Sequence, residues 1–194
     1  MSKKMVSLFS FIVSDFISIF ISFALAFWIR GYILPHFFPS LQQRPVFFEI
    51  YLSHAYMFLV WVIVFFYEKL YTKRYSFWDE AQLLLKSTTI SFFFLMIAVF
   101  ITQQYFQFSR VIIILAWIFS LIFLPILRYL IKRIDVRLNL WKKKVIIINS
   151  FNSFSILIDA INQNKTLGYE IVGCLTDNRE EIGKVVSGVK VLGH

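Results

Sequence analysis

Four stretches of this chain are apolar over about the length a hydrocarbon core demands: residues 5–28, 50–67, 83–101 and 111–131. Crossing a ~30 Å core at 1.5 Å per residue takes roughly 20 such residues. Lipid offers no partner for a backbone N–H or C=O, so each stretch has to be a helix. Composition agrees. The chain is 59% hydrophobic and 16% charged, against ~45–50% and ~25% in soluble domains. A single Cys excludes an internal disulfide. Residues 5–28 are too long for a signal-peptide apolar region of ~7–15 residues, so they read as a retained helix.

The net charge of +9 is unevenly placed: residues 1–144 hold 16 of the 20 Lys+Arg and 6 of the 11 Asp+Glu. The polar segment 145–194 is close to neutral, which excludes a nucleic-acid-binding face. Beside the spans, 13 basic residues fall on one side: Lys3, Lys4, Lys69, Lys73, Arg74, Lys86, Arg128, Lys132, Arg133, Arg137, Lys142, Lys143 and Lys144. Only Arg30, Arg44 and Arg110 fall on the other. The positive-inside rule then predicts cytoplasmic N- and C-termini. Lys86 and Arg128 lie within about a turn of the span ends, where long side chains reach the interface.

Residues 30–49, on the outer side, combine Tyr32, Phe37, Phe38, Phe47 and Phe48 with Pro35, Pro39 and Pro45. An aromatic interfacial connector is expected, with a lid over a lipid substrate as the sharper alternative. Proline argues against a long helix there.

After Trp141-Lys142-Lys143-Lys144 the pattern changes. Val145-Ile146-Ile147-Ile148 reads as a fully buried parallel-type strand. Residues 154–164 read as an amphipathic helix burying Phe154, Ile158 and Ile161, capped by Asn152 or Ser153. Gly168 breaks the chain, 169–176 give a second strand, and Val189-Lys190-Val191-Leu192 starts a third. Strand–helix–strand order implies a βαβ unit with a right-handed crossover. Such a short unit leaves one sheet face uncovered, so either a partner or further chain is expected to complete it. The domain division is a four-helix transmembrane domain over 1–140 and an incomplete cytoplasmic Rossmann-like α/β domain over 141–194.

Chemistry-bearing residues are sparse. The loop Asn149-Ser150-Phe151-Asn152-Ser153-Phe154 has none of the glycines a phosphate-cradling loop uses. His36, His54 and His194 lie far apart, so no metal set can be read, and His54 reads as an interior histidine. Cys174 reads as a small buried hydrophobe. Asp15 sits mid-span, where a carboxylate is a functional candidate by default. Hydrogen bonding beside Ser14, Ser18 and Ser22, as a helix-packing site, is the preferred reading. Asp79-Glu80 is an acid pair that has the makings of a Mg²⁺ site but also suits the positive end of a helix, and helix start is preferred.

The order of these parts resembles a known family. Asp15 and its apolar helix, Tyr67-Glu68-Lys69-Leu70-Tyr71, Phe77-Trp78-Asp79-Glu80, Phe108-Ser109-Arg110, Ala116-Trp117 and Leu124-Pro125-Ile126-Leu127-Arg128 resemble the N-terminal membrane region of bacterial polyprenyl glycosylphosphotransferases. These undecaprenyl-phosphate galactose or glucose phosphotransferase-like enzymes start capsule, exopolysaccharide and O-antigen synthesis. Residues 144–149, Gly168-Tyr169-Glu170-Ile171-Val172-Gly173 and Gly188-Val189-Lys190-Val191-Leu192-Gly193 resemble that family's Rossmann-like, CoA-binding-like domain. The resemblance implies a multi-pass protein of the bacterial inner membrane, with undecaprenyl phosphate as lipid partner and a homodimer or full-length homologue as protein partner. The family's catalytic domain follows the Rossmann-like one, uses Mg²⁺ and has no match here. This chain is therefore expected to be a non-catalytic anchoring and oligomerisation region, with no catalytic residue, metal ligand or cofactor assigned. Membrane-bound nucleotide-sugar dehydratases or epimerases, and a standalone regulatory membrane subunit, are the alternatives.

Overall fold

A computed structural model describes residues 3–38, 58–101, 109–148 and 153–193. The helices are α1 (Lys3–Trp28), α2 (Leu34–Phe37), α3 (Leu59–Tyr67), α4 (Phe77–Ile101) and α5 (Arg110–Arg137). Then come β1 (Lys143–Ile148), α6 (Phe154–Gln163), β2 (Tyr169–Leu175), β3 (Val185–Val186) and β4 (Val189–Gly193). The chain divides into two compact units, Leu8–Arg74 with Trp78–Ile131, and Met1–Ser7 and Tyr75–Phe77 with Lys132–His194.

Among the described residues, three helices are long and apolar enough to cross a membrane: Lys3–Phe37, Phe77–Ile101 and Arg110–Arg137. Of the expected span 50–67, residues 50–57 lie outside the described residues, and the described helix there is the short α3. Each long helix overruns its apolar stretch, because helix propensity does not end where hydropathy does. The first span corrects an expectation. Helix does not stop near Arg30: a π-helical turn over Ile29–Ile33 leads directly into α2. Pro35 falls inside this continuous helix, just after the π-helical turn, and supplies no N–H to the ladder. Residues 39–49 of the expected connector, and His54, lie outside the described residues.

Within the helical unit α1 presents Ser14, Ser18, Ser22 and Ala26, spaced by four, as a fully or nearly buried stripe. Small residues let helices approach closely where lipid supplies no net hydrophobic drive. Ring contacts join the helices. Phe92 of α4 stacks on Phe23 of α1 at 6.0 Å and meets Trp61 of α3 edge-on at 5.0 Å. The Trp117 indole of α5 donates to the Thr89 hydroxyl of α4 at 3.3 Å.

The other unit holds a mixed four-stranded sheet in the order β1-β2-β4-β3. The β1–β2 and β2–β4 pairs are parallel and β3–β4 is an antiparallel hairpin. That hairpin adds a strand to the three expected from sequence. Its turn places Ser187 and Gly188 at φ 47° and 80°, the two positive angles a tight hairpin loop requires. Helix α6 covers one face, where Ile147, Phe154, Ile158, Cys174 and Val191 form the core and Ile161 packs against it. Burial pushes the Cys174 thiol pKa up. Gly173 is crowded: a Cβ there would run into the Leu192 side chain. Strand β1 is parallel, as its β-branched run predicts, but it is not buried on both faces: only Ile147 is, while Ile146 and Ile148 are 53% and 77% exposed. Ser153 takes the N-cap position of α6 without a side-chain cap bond, and Asn152 lies outside the described residues.

Candidate functional site

The polar centre of the helical unit is built around Arg128, and the turn after α3 prepares it. Lys69 adopts a left-handed φ of 58°. Its N–H donates to the Phe66 carbonyl and that of Leu70 to the Phe65 carbonyl, both at 3.0 Å. This is a Schellman closure, and the side chains of the two residues its outer bond joins, Leu70 and Phe65, are both buried. It fixes the Leu70 carbonyl and the Tyr71 ring.

Arg128 then makes four hydrogen bonds to acceptors. Its Nε donates to Asp15 Oδ1 at 3.0 Å and its Nη2 to Asp15 Oδ2 at 2.6 Å, a bidentate fork. Its Nη1 donates to the Leu70 carbonyl at 2.9 Å and to Glu80 Oε1 at 3.3 Å. The Tyr71 hydroxyl donates to Asp15 Oδ2 at 2.8 Å. The guanidinium carbon lies 4.9 Å from the Tyr71 ring centre, 5.4 Å from that of Phe11 and 5.8 Å from that of Phe65. The Arg128 and Asp15 side chains are 1% and 0% exposed. Burial, with the Asp15 carboxylate beside it, pushes the Tyr71 phenol well above its ordinary range, so it remains a donor.

Two expectations are corrected here. Arg128 does not reach out to the interface: an opposite charge on the neighbouring helix holds it inside, where a lone guanidinium would be far more costly. Asp15 is a helix-packing residue, but its partners are Arg128 and Tyr71 rather than the serines. Ser18 and Ser22 instead donate to the carbonyls one turn back, at 2.7 Å each. Lys86 does stay at the surface, 60% exposed, and pairs with Glu68 at 3.0 Å. Asp79 and Glu80 open α4 as expected; Glu80 in addition turns inward to Arg128.

The missed partnership had a signal. Asp15 is the one acid within the four apolar stretches and Arg128 one of the two bases in them, and opposite charges in lipid seek each other. Among the described residues there is no group of three or more His, Cys, Asp or Glu able to hold a metal.

The site and fold together define a class: membrane-capable helices locked by a buried ion network, followed in sequence by a small mixed-sheet α/β unit. The chain belongs to the CoA-binding domain family, whose model matches residues 66–194. It is 30% identical over 102 residues to an undecaprenyl-phosphate galactose phosphotransferase of Salmonella typhimurium (strain LT2), covering 53% of this chain and 21% of that protein. It is 29% identical over 122 residues to a UDP-galactose-lipid carrier transferase of Erwinia amylovora, covering 63% of this chain and 25% of that protein. The resemblance to sugar phosphotransferases read from the motifs therefore stands, over a fifth to a quarter of these relatives' length.

The family name raises coenzyme A, whose diphosphate needs close backbone approach at glycines beside a strand end. The segment in that place, 149–152, reads Asn-Ser-Phe-Asn and lies outside the described residues. The glycine within the parallel strands, Gly173, is filled by Leu192. Gly173 therefore offers no such approach.

Proposed function

We propose that this chain is the membrane-anchoring and accessory region of a sugar-phosphate transferase that starts polysaccharide synthesis on undecaprenyl phosphate. One observation carries the reading. Asp15, Tyr71, Glu80 and Arg128, all in the motifs that resemble the transferase family, are engaged with one another rather than aimed at an open site. Residues joined that way hold helices in register; they do not bind a soluble substrate. Both relatives are transferases by name, which favours this reading over a dehydratase. The anchor has four spans, 50–67 being the second, with both termini cytoplasmic in the inner membrane, and the α/β unit is Rossmann-like and non-catalytic.

The test has two parts. Single cysteines introduced at Ser40, Ser76 and Glu180 in a Cys174→Ser background should label from outside intact cells only at position 40; the reverse pattern overturns the topology. Purified chain should transfer no sugar phosphate from UDP-galactose to undecaprenyl phosphate. Turnover above a membrane blank that is lost in Asp79→Asn overturns the non-catalytic reading.

The same reading includes self-association. Ile146, Ile148, Val172 and Leu192, 47–77% exposed, lie on the strands that α6 covers from one face only. Parallel sheets are normally covered on both faces. Light scattering in mild detergent should give a dimer for the chain and a monomer for Ile146→Glu/Leu192→Glu. An unchanged mass places any association elsewhere.

A further inference from the structure

Beyond Arg128, the end of α5 and the start of β1 carry a dense set of cations. Arg133, Arg137, Lys142, Lys143 and Lys144 are all exposed. None makes a side-chain hydrogen bond or ion pair among the described residues. Other basic residues nearby are engaged: Arg128 with Asp15, and buried Lys132 over the Trp141 ring at 5.9 Å. Between residues 129 and 158 the sole acid is Asp135, which is buried. The cations are exposed, and the carboxylate that the sheet register sets beside them is that of Glu170, opposite Lys144 and not ion-paired with it.

We infer that these five side chains form a docking surface for anionic phospholipid headgroups. Their position suits that partner. Arg133 and Arg137, one turn apart, follow directly on the apolar stretch of α5, at the depth where headgroups begin. Exposed Ile134 and Leu138, 47% and 62%, are likewise one turn apart and adjoin them. A helix end that offers apolar and cationic residues together matches a surface of acyl chains below phosphates.

The surface is built rather than trailing. The N–H of Asn139, at φ 57°, donates to the Val136 carbonyl at 3.2 Å, and those of Leu140 and Trp141 to the Asp135 carbonyl at 2.9 and 3.2 Å. This Schellman closure ties Lys142 to the helix end. The Lys143 N–H, donating to the Gly168 carbonyl at 2.8 Å, ties the lysines to the sheet unit. A signal read only while the chain inserts would need the charges but not this fixed geometry.

The inference rests on the membrane-anchoring reading, and the experiment separates the two. The full chain is reconstituted in phosphatidylcholine vesicles containing phosphatidylglycerol as the minor lipid. The motionally restricted fraction of spin-labelled phosphatidylglycerol is compared with that of spin-labelled phosphatidylcholine. Phosphatidylglycerol should be preferred about twofold or more at ~0.1 M salt, with the preference gone near 1 M, where the Debye length is ~3 Å. The preference should vanish in R133Q/R137Q/K142Q/K143Q/K144Q and survive in R133K/R137K/K142R/K143R/K144R. It should also persist with inorganic phosphate added at constant ionic strength, since a free-anion site would be competed away. A wild-type preference near unity, one that survives in the glutamine variant, or one abolished by inorganic phosphate overturns the inference. A complete lack of restricted lipid overturns the membrane reading as well. The salt arm needs no variant to fold.

Discussion

In the helical unit a buried arginine, aspartate and glutamate converge on one point; in the α/β unit the core between α6 and the sheet is Ile147, Phe154, Ile158, Cys174 and Val191, with no charge among them, and the buried Lys132 and Asp135 lie apart from it in sequence, on the last turns of α5. The contrast follows from the solvent. In lipid, one apolar helix face gains little by leaving acyl chains for another, so directional polar contacts fix which helices meet and in what register. In water, apolar burial drives association and is non-directional, so a handful of core side chains is enough to seat α6 on the sheet. The two units should therefore fail in different ways.

Arg128→Met should show the largest effect. It leaves Asp15 and Glu80 as carboxylates beside an apolar side chain, and breaking one side of a buried pair costs about 3–5 kcal/mol. Asp15→Leu/Arg128→Met should recover part of that loss, because the two charges of the fully buried fork leave together while Glu80 stays without Arg128. Equilibrium unfolding by SDS titration in mixed micelles reads both. If the double variant is as unstable as the single one, the two residues are not coupled and the lock does not hold the helices.

Phe154→Ala tests the other unit. Removing a fully buried aromatic ring costs about 3–5 kcal/mol in a well-packed core, and the lower end is expected where one sheet face is open. Hydrogen exchange should show protection falling in β2, Tyr169–Leu175, with α4 and α5 unchanged. Arg128→Met should give the reverse pattern. Loss of protection in both units from either variant would show that they unfold as one, and the contrast drawn above would go.

Sequence displayed the two regions to different depths, for reasons seen at particular residues. The long helices were legible because an apolar run in lipid has one backbone solution, and the acid pair Asp79-Glu80 marked the start of α4, yet the end of α5 was not legible: Lys132–Arg137 is helical and polar, beyond where hydropathy speaks. The pairing of Asp15 with Arg128 spans 113 positions, and no local period reports a contact at that separation. The α/β core was legible from the i, i+4, i+7 spacing of Phe154, Ile158 and Ile161. The β3–β4 hairpin was overlooked although Val185-Val186-Ser187-Gly188-Val189 carries its signal: strand residues on either side of a two-residue turn with glycine. The exposed face of β1 escaped because a run of β-branched residues shows that a strand forms, not which of its faces finds a partner.

The smallest expected effect compares one device used in both units. Lys69 and Asn139 each close a helix through a Schellman turn in the left-handed region, at φ 58° and 57°. For a lysine that conformation costs ~1–2 kcal/mol, whereas asparagine is among the residues that visit it routinely. Glycine removes the steric cost but adds about 0.5–1 kcal/mol of unfolded-chain entropy. Lys69 is exposed and its side chain makes no bond among the described residues, so Lys69→Gly gives up no contact. It should stabilise the helical unit by about 0.5–1 kcal/mol, while Asn139→Gly should be neutral or slightly destabilising in the α/β unit. SDS titration measures the first and hydrogen exchange over β1 and β2 the second. A loss of stability in Lys69→Gly would mean that the strain at this turn is held in place by the side chain itself, and that the position of Tyr71 against Asp15 depends on lysine rather than on the backbone.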